Sequence, residues 1–138
     1  SVLGDRAGIA IEGDRFILQS EVLFPSGSAE LAPEGAARLA PIAATLLEIA
    51  PEIPADVKWI LRVDGHTDQV PIRTGDFPSN WELSAARALS VVYYMIQQGV
   101  PAERLSAAGF GEFHPRDARR DEIGNRRNRR IELKLTRR

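Results

Sequence analysis

The sequence predicts a two-layer α/β sandwich, an α+β fold in which one mixed sheet carries two main helices on one face. Short apolar strand patterns alternate with helical patterns of about 15–20 residues, and the last segment alternates polar with apolar residues. The 138 residues contain no internal repeat and no second apolar core. A chain of this length can bury a core of its own, so one main domain is expected.

The N-terminal part predicts a β-hairpin. Residues 8–12 and 15–18 have the composition of two short strands, and Gly13 lies in the turn between them. The second strand is expected to continue through residues 22–24 and to stop at Pro25. The chain is divided accordingly into an N-terminal extension that includes the first hairpin strand and a main domain, residues 1–15 and 16–138.

A first long helix is predicted to begin at Pro33, a residue type favoured in the first helical turn. Its apolar residues recur at the helical spacing of three and four: Leu39, Ile42, Ala43, Leu46, Leu47 and Ile49. Pro41 lies inside this pattern and is expected to kink the helix, because it removes one backbone hydrogen bond. Pro51 and Pro54 then end the helix.

A buried strand is predicted over residues 58–65, since the run is short, apolar and bounded by polar residues. Ser79 begins a capping-box pattern that opens a second long helix, and Gly99 ends it. The apolar stripe of this helix is predicted to be Ala85, Leu89, Val92 and Ile96. Four aromatic residues are interpreted as core or core margin: Trp59, Trp81, Tyr93 and Tyr94.

The C-terminal third predicts two more strands. Residues 104–108 form the first, and residues 130–136 alternate charged or polar with apolar side chains, which predicts a strand with one face in water. Residues 116–128 are polar enough for a loop or a short exposed helix. Helix crossovers make neighbouring strands parallel, and the closing strand can pair antiparallel, which gives a βαβαβ-type mixed sheet.

Charge and composition exclude several classes of protein. Eighteen basic and nineteen acidic residues give a net charge of −1, which argues against a general polyanion binder. Residues 115–138 are locally basic, with ten basic and four acidic side chains. Cysteine is absent, which excludes disulfides, thiol catalysis and Cys-ligated zinc. No apolar run approaches a membrane span, and the missing initiator Met suggests a piece whose N-terminal anchor, if it has one, lies elsewhere.

Two polar clusters are candidates for a binding site. Residues 64–68, Asp-Gly-His-Thr-Asp, follow the central strand, where α/β domains often place ligands. Asn80, Ser84 and Arg87 share one face of the second helix. Asp68 and Arg87 could together hold a ligand that carries both an ammonium and a carboxylate group. The alternatives are a turn whose side chains only cap loop amides and an Asp68–Arg87 salt bridge that serves structure alone.

Other kinds of site lack a pattern. His66 and His114, the two histidines, have no metal-ligand spacing, and neither a nucleophile elbow nor a phosphate-binding glycine loop is present. We therefore expect no catalytic residue, metal or cofactor. The arginines within residues 126–130 could bind nucleic acid, but the alternation over residues 131–135 places this segment in the sheet, and nucleic acid is not expected.

Six motifs, in order, resemble the OmpA-like peptidoglycan-binding domain of the OmpA, Pal and MotB family, over roughly residues 16–136. They occupy residues 24–31, 64–68, 80–87, 99–105, 109–112 and 128–132. The resemblance implies an α/β sandwich that binds the diaminopimelate of the peptidoglycan stem peptide without catalysis. The loop from 69 to 79 is longer than in OmpA and Pal and is similar to the MotB-type branch.

The resemblance also implies roles for particular residues. Asp68 matches the aspartate that takes the diaminopimelate ammonium, and Arg87 the arginine that takes its carboxylate. The other residues implied at the site are Thr67, Asn80, Leu83, Ser84 and Arg130. Two positions depart from the family pattern: Pro25 replaces a common aspartate, and Asn125 stands where an arginine is common.

The resemblance implies a periplasmic domain of a membrane-anchored protein, with the inner membrane favoured over the outer. Peptidoglycan is the expected partner, and a homodimer is possible. The membrane would be reached only through the absent N-terminal anchor. The alternative is a scaffold module of the same fold that binds a protein partner in place of the cell wall.

Overall fold

One mixed five-stranded sheet organises the computed structural model of the chain, which describes residues 9–12, 15–72 and 76–137. The strands are β1 (Ile9–Glu12), β2 (Arg15–Gln19), β3 (Trp59–His66), β4 (Leu105–Gly109) and β5 (Arg130–Arg137). Their spatial order is β1-β2-β5-β3-β4, and β3 and β4 are parallel while the other neighbours are antiparallel. The mixed sheet and its antiparallel closing strand are confirmed.

The N-terminal hairpin is confirmed by the antiparallel pairing of β1 with β2, in which Ile11 lies opposite Phe16. Gly13, predicted in its turn, and Gly8, at the predicted start of its first strand, lie outside the described residues. The division of the chain at residue 15 stays a prediction.

Two long helices cover one face of the sheet. The helices are α1 (Ser20–Leu23), α2 (Pro33–Ile49), α3 (Asn80–Gln97) and α4 (Glu122–Asn128), with short 3-10 turns at Ala50–Glu52 and Ala102–Arg104. α3 packs against β3 and β4. The Tyr94 hydroxyl of α3 donates a hydrogen bond to the Ala36 carbonyl of α2 at 3.1 Å, so the two helices lie side by side. The two-layer sandwich is confirmed, and α2 continues through Pro41 to Ile49.

The core lies between the helices and the inner face of the sheet. Val63 and Leu133 are opposite each other on β3 and β5, as are Leu18 and Ile131 on β2 and β5, and all four are fully buried. Helix side chains that complete the core are Leu39, Ile42, Ala43, Leu46, Ala88, Val91, Val92 and Met95. Burying such side chains contributes about 1.5–3 kcal/mol each.

The outer face of the sheet differs from the expectation of a water-facing side on the last strand. Arg130 and Glu132 of β5 are each only 5% exposed, and Nε of Arg130 donates to Oε2 of Glu132 at 2.6 Å. Arg15 donates to the other Glu132 oxygen at 2.6 Å. The His66 ring stacks on Phe110 at 5.0 Å, and it too is buried. Ion pairs therefore allow this polar face to be buried, and the alternation of burial begins only after Leu133.

The predicted extension of the second strand through residues 22–24 is wrong, because α1 forms one helical turn there. Leu23 and Phe24 are buried, so the apolar run indicates burial correctly but not conformation. The backbone of Leu23 lies under the start of α2, where a Cβ on Gly35 would come within 2.6 Å of the Leu23 carbonyl oxygen. A turn of helix at this point brings the chain from the sheet toward the helical layer.

The predicted apolar stripe of α3 is confirmed at Val92, which is buried, and is displaced by one residue at Leu89 and Ile96. Leu89 and Ile96 are 42% and 38% exposed, whereas Ala88 and Met95 are fully buried. One residue corresponds to a rotation of about 100° around the helix. The polar side chains of Ser84 and Arg87 lie on the buried face, and this is why hydrophobicity alone misplaced it. Of the four aromatic residues expected in the core or at its margin, Trp81 and Tyr93 are 50% and 60% exposed.

Candidate functional site

A cleft of about 700 Å³ opens where β3 ends, between α1, α3 and α4. Its lining includes five charged side chains, three carboxylates and two guanidinium groups: Glu21, Asp68, Glu122, Arg87 and Arg129. The polar and apolar lining residues include Ser20, Phe24, Ser26, Thr67, Val70, Ile72, Asn80, Leu83 and Asn125. Both signs of charge thus face one concave site.

Asp68 lies just beyond the end of β3 and is 7% exposed. Its Oδ1 accepts a hydrogen bond from the Val70 amide at 2.9 Å, and its Oδ2 accepts one from Nη1 of Arg129 at 2.8 Å. A carboxylate offers about four acceptor positions, so these two bonds orient Asp68 and leave capacity for a ligand donor. The arginine that pairs with Asp68 is Arg129, not Arg87 as considered from the sequence.

Arg129 connects three carboxylates at the rim of the cleft. Besides Asp68, it donates from Nε to Glu21 and from Nη2 to Glu122, the latter at 2.7 Å. Burial opposes the charged form, but the hydrogen bonds to Glu122, Asp68 and Glu21 outweigh it and raise the pKa of the guanidinium. One cation against three anions leaves this part of the cleft electronegative, which suits a ligand ammonium group.

Arg87 also lines the cleft and is 6% exposed. Nε donates to the Ser28 carbonyl at 2.8 Å and Nη2 to the Pro25 carbonyl at 3.3 Å, while the guanidinium lies 5.2 Å from the centre of the Phe24 ring. Among the described residues no acceptor is bonded to Nη1. Burial lowers the pKa of Arg87 from its ordinary value, with Arg129 adding to the effect and Glu21 opposing it. A buried cation with a free donor is suited to an anionic group.

Asn80 and Thr67 shape the wall between these charges. Asn80 is the first residue of α3 and donates from Nδ2 to the Val70 carbonyl at 3.1 Å, which holds the start of the 69–79 loop against the helix. The Thr67 hydroxyl donates to the Asp68 carbonyl at 2.9 Å, and the Thr67 amide donates to Gly111 at 2.9 Å. Residues 73–75 of this loop are outside the described part of the chain.

Five of the seven site residues predicted from the sequence line the cleft: Asp68, Arg87, Asn80, Thr67 and Leu83. Ser84 lies behind it, where its hydroxyl donates to the Trp81 carbonyl and accepts from the Gly111 amide. Ser84 therefore connects α3 to the turn at Gly111 and does not line the cleft itself.

Arg130, which the sequence assigns to the site, is not among the residues that line the cleft. Arg130 is the first residue of β5 and lies on the outer face of the sheet, where it donates to Glu132 and to the His114 carbonyl. Its neighbour Arg129 precedes the strand and lines the cleft instead. The side chains of adjacent residues in an extended chain point to opposite faces of a sheet. A prediction that is wrong by one position therefore assigns Arg130 to the cleft in place of Arg129.

The side chains that the sequence did not identify come from α1 and α4. Glu21 lies in the single turn of α1, and Glu122 lies in the first turn of α4, whose N-cap is Asp121. Asn125 of α4, which stands where the family pattern has an arginine, lines the cleft and has a buried Oδ1 without a hydrogen-bond partner among the described residues. The residues 116–128, expected to be exposed, therefore contribute a wall of the site.

Other candidate sites are limited. In the described ranges no group of three or more His, Cys, Asp or Glu residues could hold a metal ion. The same part of the chain contains no helix with the length and hydropathy of a membrane span. The arginines within residues 126–130 are largely engaged in the fold. Arg127 lies 3.6 Å from Asp117, Arg129 lines the cleft, and Arg130 is part of the sheet.

The fold and the cleft define a class of protein: a two-layer α/β domain whose binding cleft, at one end of the sheet, offers both a buried carboxylate and a buried guanidinium. The chain belongs to the OmpA family, which is matched over residues 23–129.

Solved structures and curated relatives support this assignment. A putative MotB-like protein from Desulfovibrio vulgaris superposes with a TM-score of 0.86 at 32% identity, covering 99% of this chain and 86% of that one. The cell wall anchor of the type VI secretion system of Pseudomonas aeruginosa has a TM-score of 0.80 at 32% identity, covering 95% and 89%. Motility protein B of Bacillus subtilis is 33% identical over 123 residues, 88% of this chain and 44% of the relative. The chain thus spans less than half the length of the curated relatives it matches first.

Proposed function

We propose that this domain binds cell-wall peptidoglycan without catalysis, through the diaminopimelate of the stem peptide. The observation that carries the proposal is the cleft itself, which has both Asp68 and Arg87 in its lining. The side-chain end of diaminopimelate is a zwitterion, with an ammonium and a carboxylate on one carbon. A site with one buried acid and one buried base matches both groups.

The ligand ammonium would bind Asp68, within the electronegative ring formed with Glu21 and Glu122. The ligand carboxylate would bind Arg87 through Nη1, the donor that faces no described acceptor. Charge-assisted hydrogen bonds of this kind contribute about 1.5–3 kcal/mol each. Asn80 and Thr67 would set the width of the site, and Leu83 would contact the aliphatic chain of the ligand.

The domain would thereby anchor a membrane-tethered envelope or stator-like protein to the wall, on its periplasmic side. The similarity to a solved cell wall anchor and to a MotB-like protein supports this proposal. Binding, and not turnover, is the proposed activity of the cleft.

Titration of the 138-residue chain with a soluble diaminopimelate stem peptide tests the proposal. Asp68→Ala and Arg87→Ala should each weaken binding about tenfold or more, since each removes one charge-assisted contact. Arg127→Ala is the matched control, because that guanidinium is half exposed and outside the cleft lining. Wild-type affinity in both cleft variants would contradict the proposal. Absence of binding by the wild-type chain would favour the alternative, a scaffold module that binds a protein partner.

A further inference from the structure

An exposed aromatic pair lies beside the cleft. Trp81 and Phe113 are 50% and 58% exposed, yet their rings stack with centroids 5.1 Å apart and planes inclined by 28°. This is the offset arrangement that aromatic pairs prefer. The sequence predicts Trp81 in the core or at its margin, whereas the structure exposes both rings to water.

The pair is held in place by its backbone. The Trp81 amide donates to the hydroxyl of Ser79, the N-cap of α3, at 3.1 Å, and its carbonyl accepts from Ser84 at 3.1 Å. Phe113 follows a tight turn in which Gly111 has a φ of +60°, and its amide donates to the Phe110 carbonyl at 3.4 Å. Large aromatic side chains with only two rotatable bonds lose little entropy when they bind, so a fixed pair is an efficient contact surface.

Gly111 connects this pair to the cleft. A Cβ at Gly111 would lie 3.5 Å from the Trp81 ring and 3.5 Å from the Phe113 ring. The carbonyl of the same residue accepts the amide of Thr67, which lines the cleft, and Asn80 of the cleft precedes Trp81 directly. The aromatic pair is therefore connected to the cleft lining by two short links: Trp81 is adjacent to Asn80, and Gly111, which contacts both rings, is hydrogen-bonded to Thr67.

We propose that Trp81 and Phe113 form a sugar-stacking platform that takes a hexosamine ring of the glycan strand while the cleft holds the stem peptide. The inference rests on the proposed function, because in peptidoglycan the sugars and the stem peptide are parts of one molecule. The C–H face of a pyranose ring is apolar and flat, and an exposed aromatic face beside a polar site complements it. The platform thus adds a contact to the sugar that a free stem peptide cannot make.

The test compares two ligands, the stem peptide alone and the same peptide carried on its N-acetylglucosamine–N-acetylmuramic acid disaccharide. Wild-type chain should bind the disaccharide form about three- to tenfold more tightly, the range expected for a single aromatic stacking contact. Trp81→Ala and Phe113→Ala should each reduce this preference toward onefold and leave the affinity for the peptide alone unchanged. Tyr93→Ala, which removes another exposed aromatic residue of α3, is the control and should keep the preference.

Fluorescence gives an independent readout, because the chain has two tryptophans and Trp59 is buried. The emission of Trp81 should shift to shorter wavelength with the disaccharide ligand and not with the peptide. Equal affinity of the wild-type chain for both ligands, or a preference that survives in both platform variants, would overturn this inference alone. A chain that binds neither ligand would overturn the proposed function and this inference together.

Discussion

At the scale of single residues, Arg129 and Arg130 have separate tasks although they are neighbours. Arg129 bonds Asp68 in the cleft, whereas Arg130 bonds Glu132 on the outer face of the sheet. Glu132 is buried and also paired with Arg15, so the two arginines around it compensate one buried carboxylate. Arg129 thus orients Asp68 in the cleft, and Arg130 compensates the buried charge of Glu132.

Arg130→Ala should therefore destabilise the fold. Removing one partner of a buried ion pair costs about 3–5 kcal/mol, and because Arg15 remains, a loss near 3 kcal/mol in the free energy of unfolding is expected. Urea denaturation measures it, with Arg127→Ala as a surface control that should change stability little. Stem-peptide affinity of the folded variant should stay unchanged, and a large loss of affinity without loss of stability would contradict the assignment.

His66 makes stability depend on pH. Burial lowers its pKa from 6.5 to about 4, Arg130, His114 and Arg15 act in the same direction, and Glu132 opposes them. Since the unfolded chain then binds the proton more readily, the contribution of neutral His66 is fully present above pH 6.5 and is lost as the pH falls toward 4.

Urea midpoints measured between pH 7 and 4.5 should decline in the wild-type chain and decline less in His66→Gln. Carboxylates begin to titrate at the acidic end of this window, so the difference between the two proteins, and not the decline itself, reports the contribution of His66. An identical decline in both proteins would show that His66 is not its source.

At the scale of elements, β3 and α3 approach one another unusually closely. A Cβ at Gly65 would lie 2.2 Å from the Ser84 carbonyl oxygen, and one at Gly109 would lie 2.5 Å from the Ala85 amide. The absence of side chains at these two positions lets the start of α3 rest on the ends of β3 and β4. This contact sets the distance between Asp68, which follows β3, and Arg87, which α3 carries.

Gly65→Ala should separate the two elements. Overpacking of this kind costs about 1–3 kcal/mol, and here it should weaken stem-peptide binding as well, because both walls of the cleft depend on the contact. Ser106→Ala, at an exposed position of β4, is the control for stability and affinity. Loss of stability with unchanged affinity would mean that the cleft does not depend on this contact.

Local patterns were sufficient to predict β3, β5 and the start and end of α3, since each has its own periodicity and cap. They also singled out Asp68 and Arg87, which are 19 positions apart in the sequence and both line the cleft. Their role in binding a ligand stays a prediction. The pattern failed where a single position decides. At the start of β5, the sequence assigned Arg130 to the site in place of its neighbour Arg129. In α3, the predicted buried face was rotated by one residue, because Ser84 and Arg87 are buried although they are polar.

Long-range pairing explains the remaining errors. Arg15 and Glu132 are 117 positions apart, and Arg129 and Glu21 are 108 positions apart. The sequence pattern shows that each of these residues is charged, but it does not show which distant residue forms an ion pair with it. The outer face of β5 was therefore expected in water, and Glu21 was not expected in the cleft.

At the scale of the whole molecule, the near-neutral composition conceals an ordered distribution of charge. The sheet and its two helices form a rigid support, and the cleft at one end holds three carboxylates and two guanidinium groups within one concavity. The charge balance that argues against a general polyanion binder is compatible with a ligand that carries both charges. The central claim is that Asp68 and Arg87 each recognise a different group of one zwitterion.

Titration calorimetry tests this claim most directly, when the wild-type chain and its variants are each titrated with stem peptides that carry either diaminopimelate or lysine. Lysine keeps the ammonium and lacks the second carboxylate, so the wild-type chain should prefer the diaminopimelate peptide about tenfold or more. Arg87→Ala, and the charge-conserving Arg87→Lys to a smaller degree, should reduce this preference toward onefold. Asp68→Asn should weaken both peptides alike. A preference that is unchanged in Arg87→Ala, with the fold intact, would contradict the account.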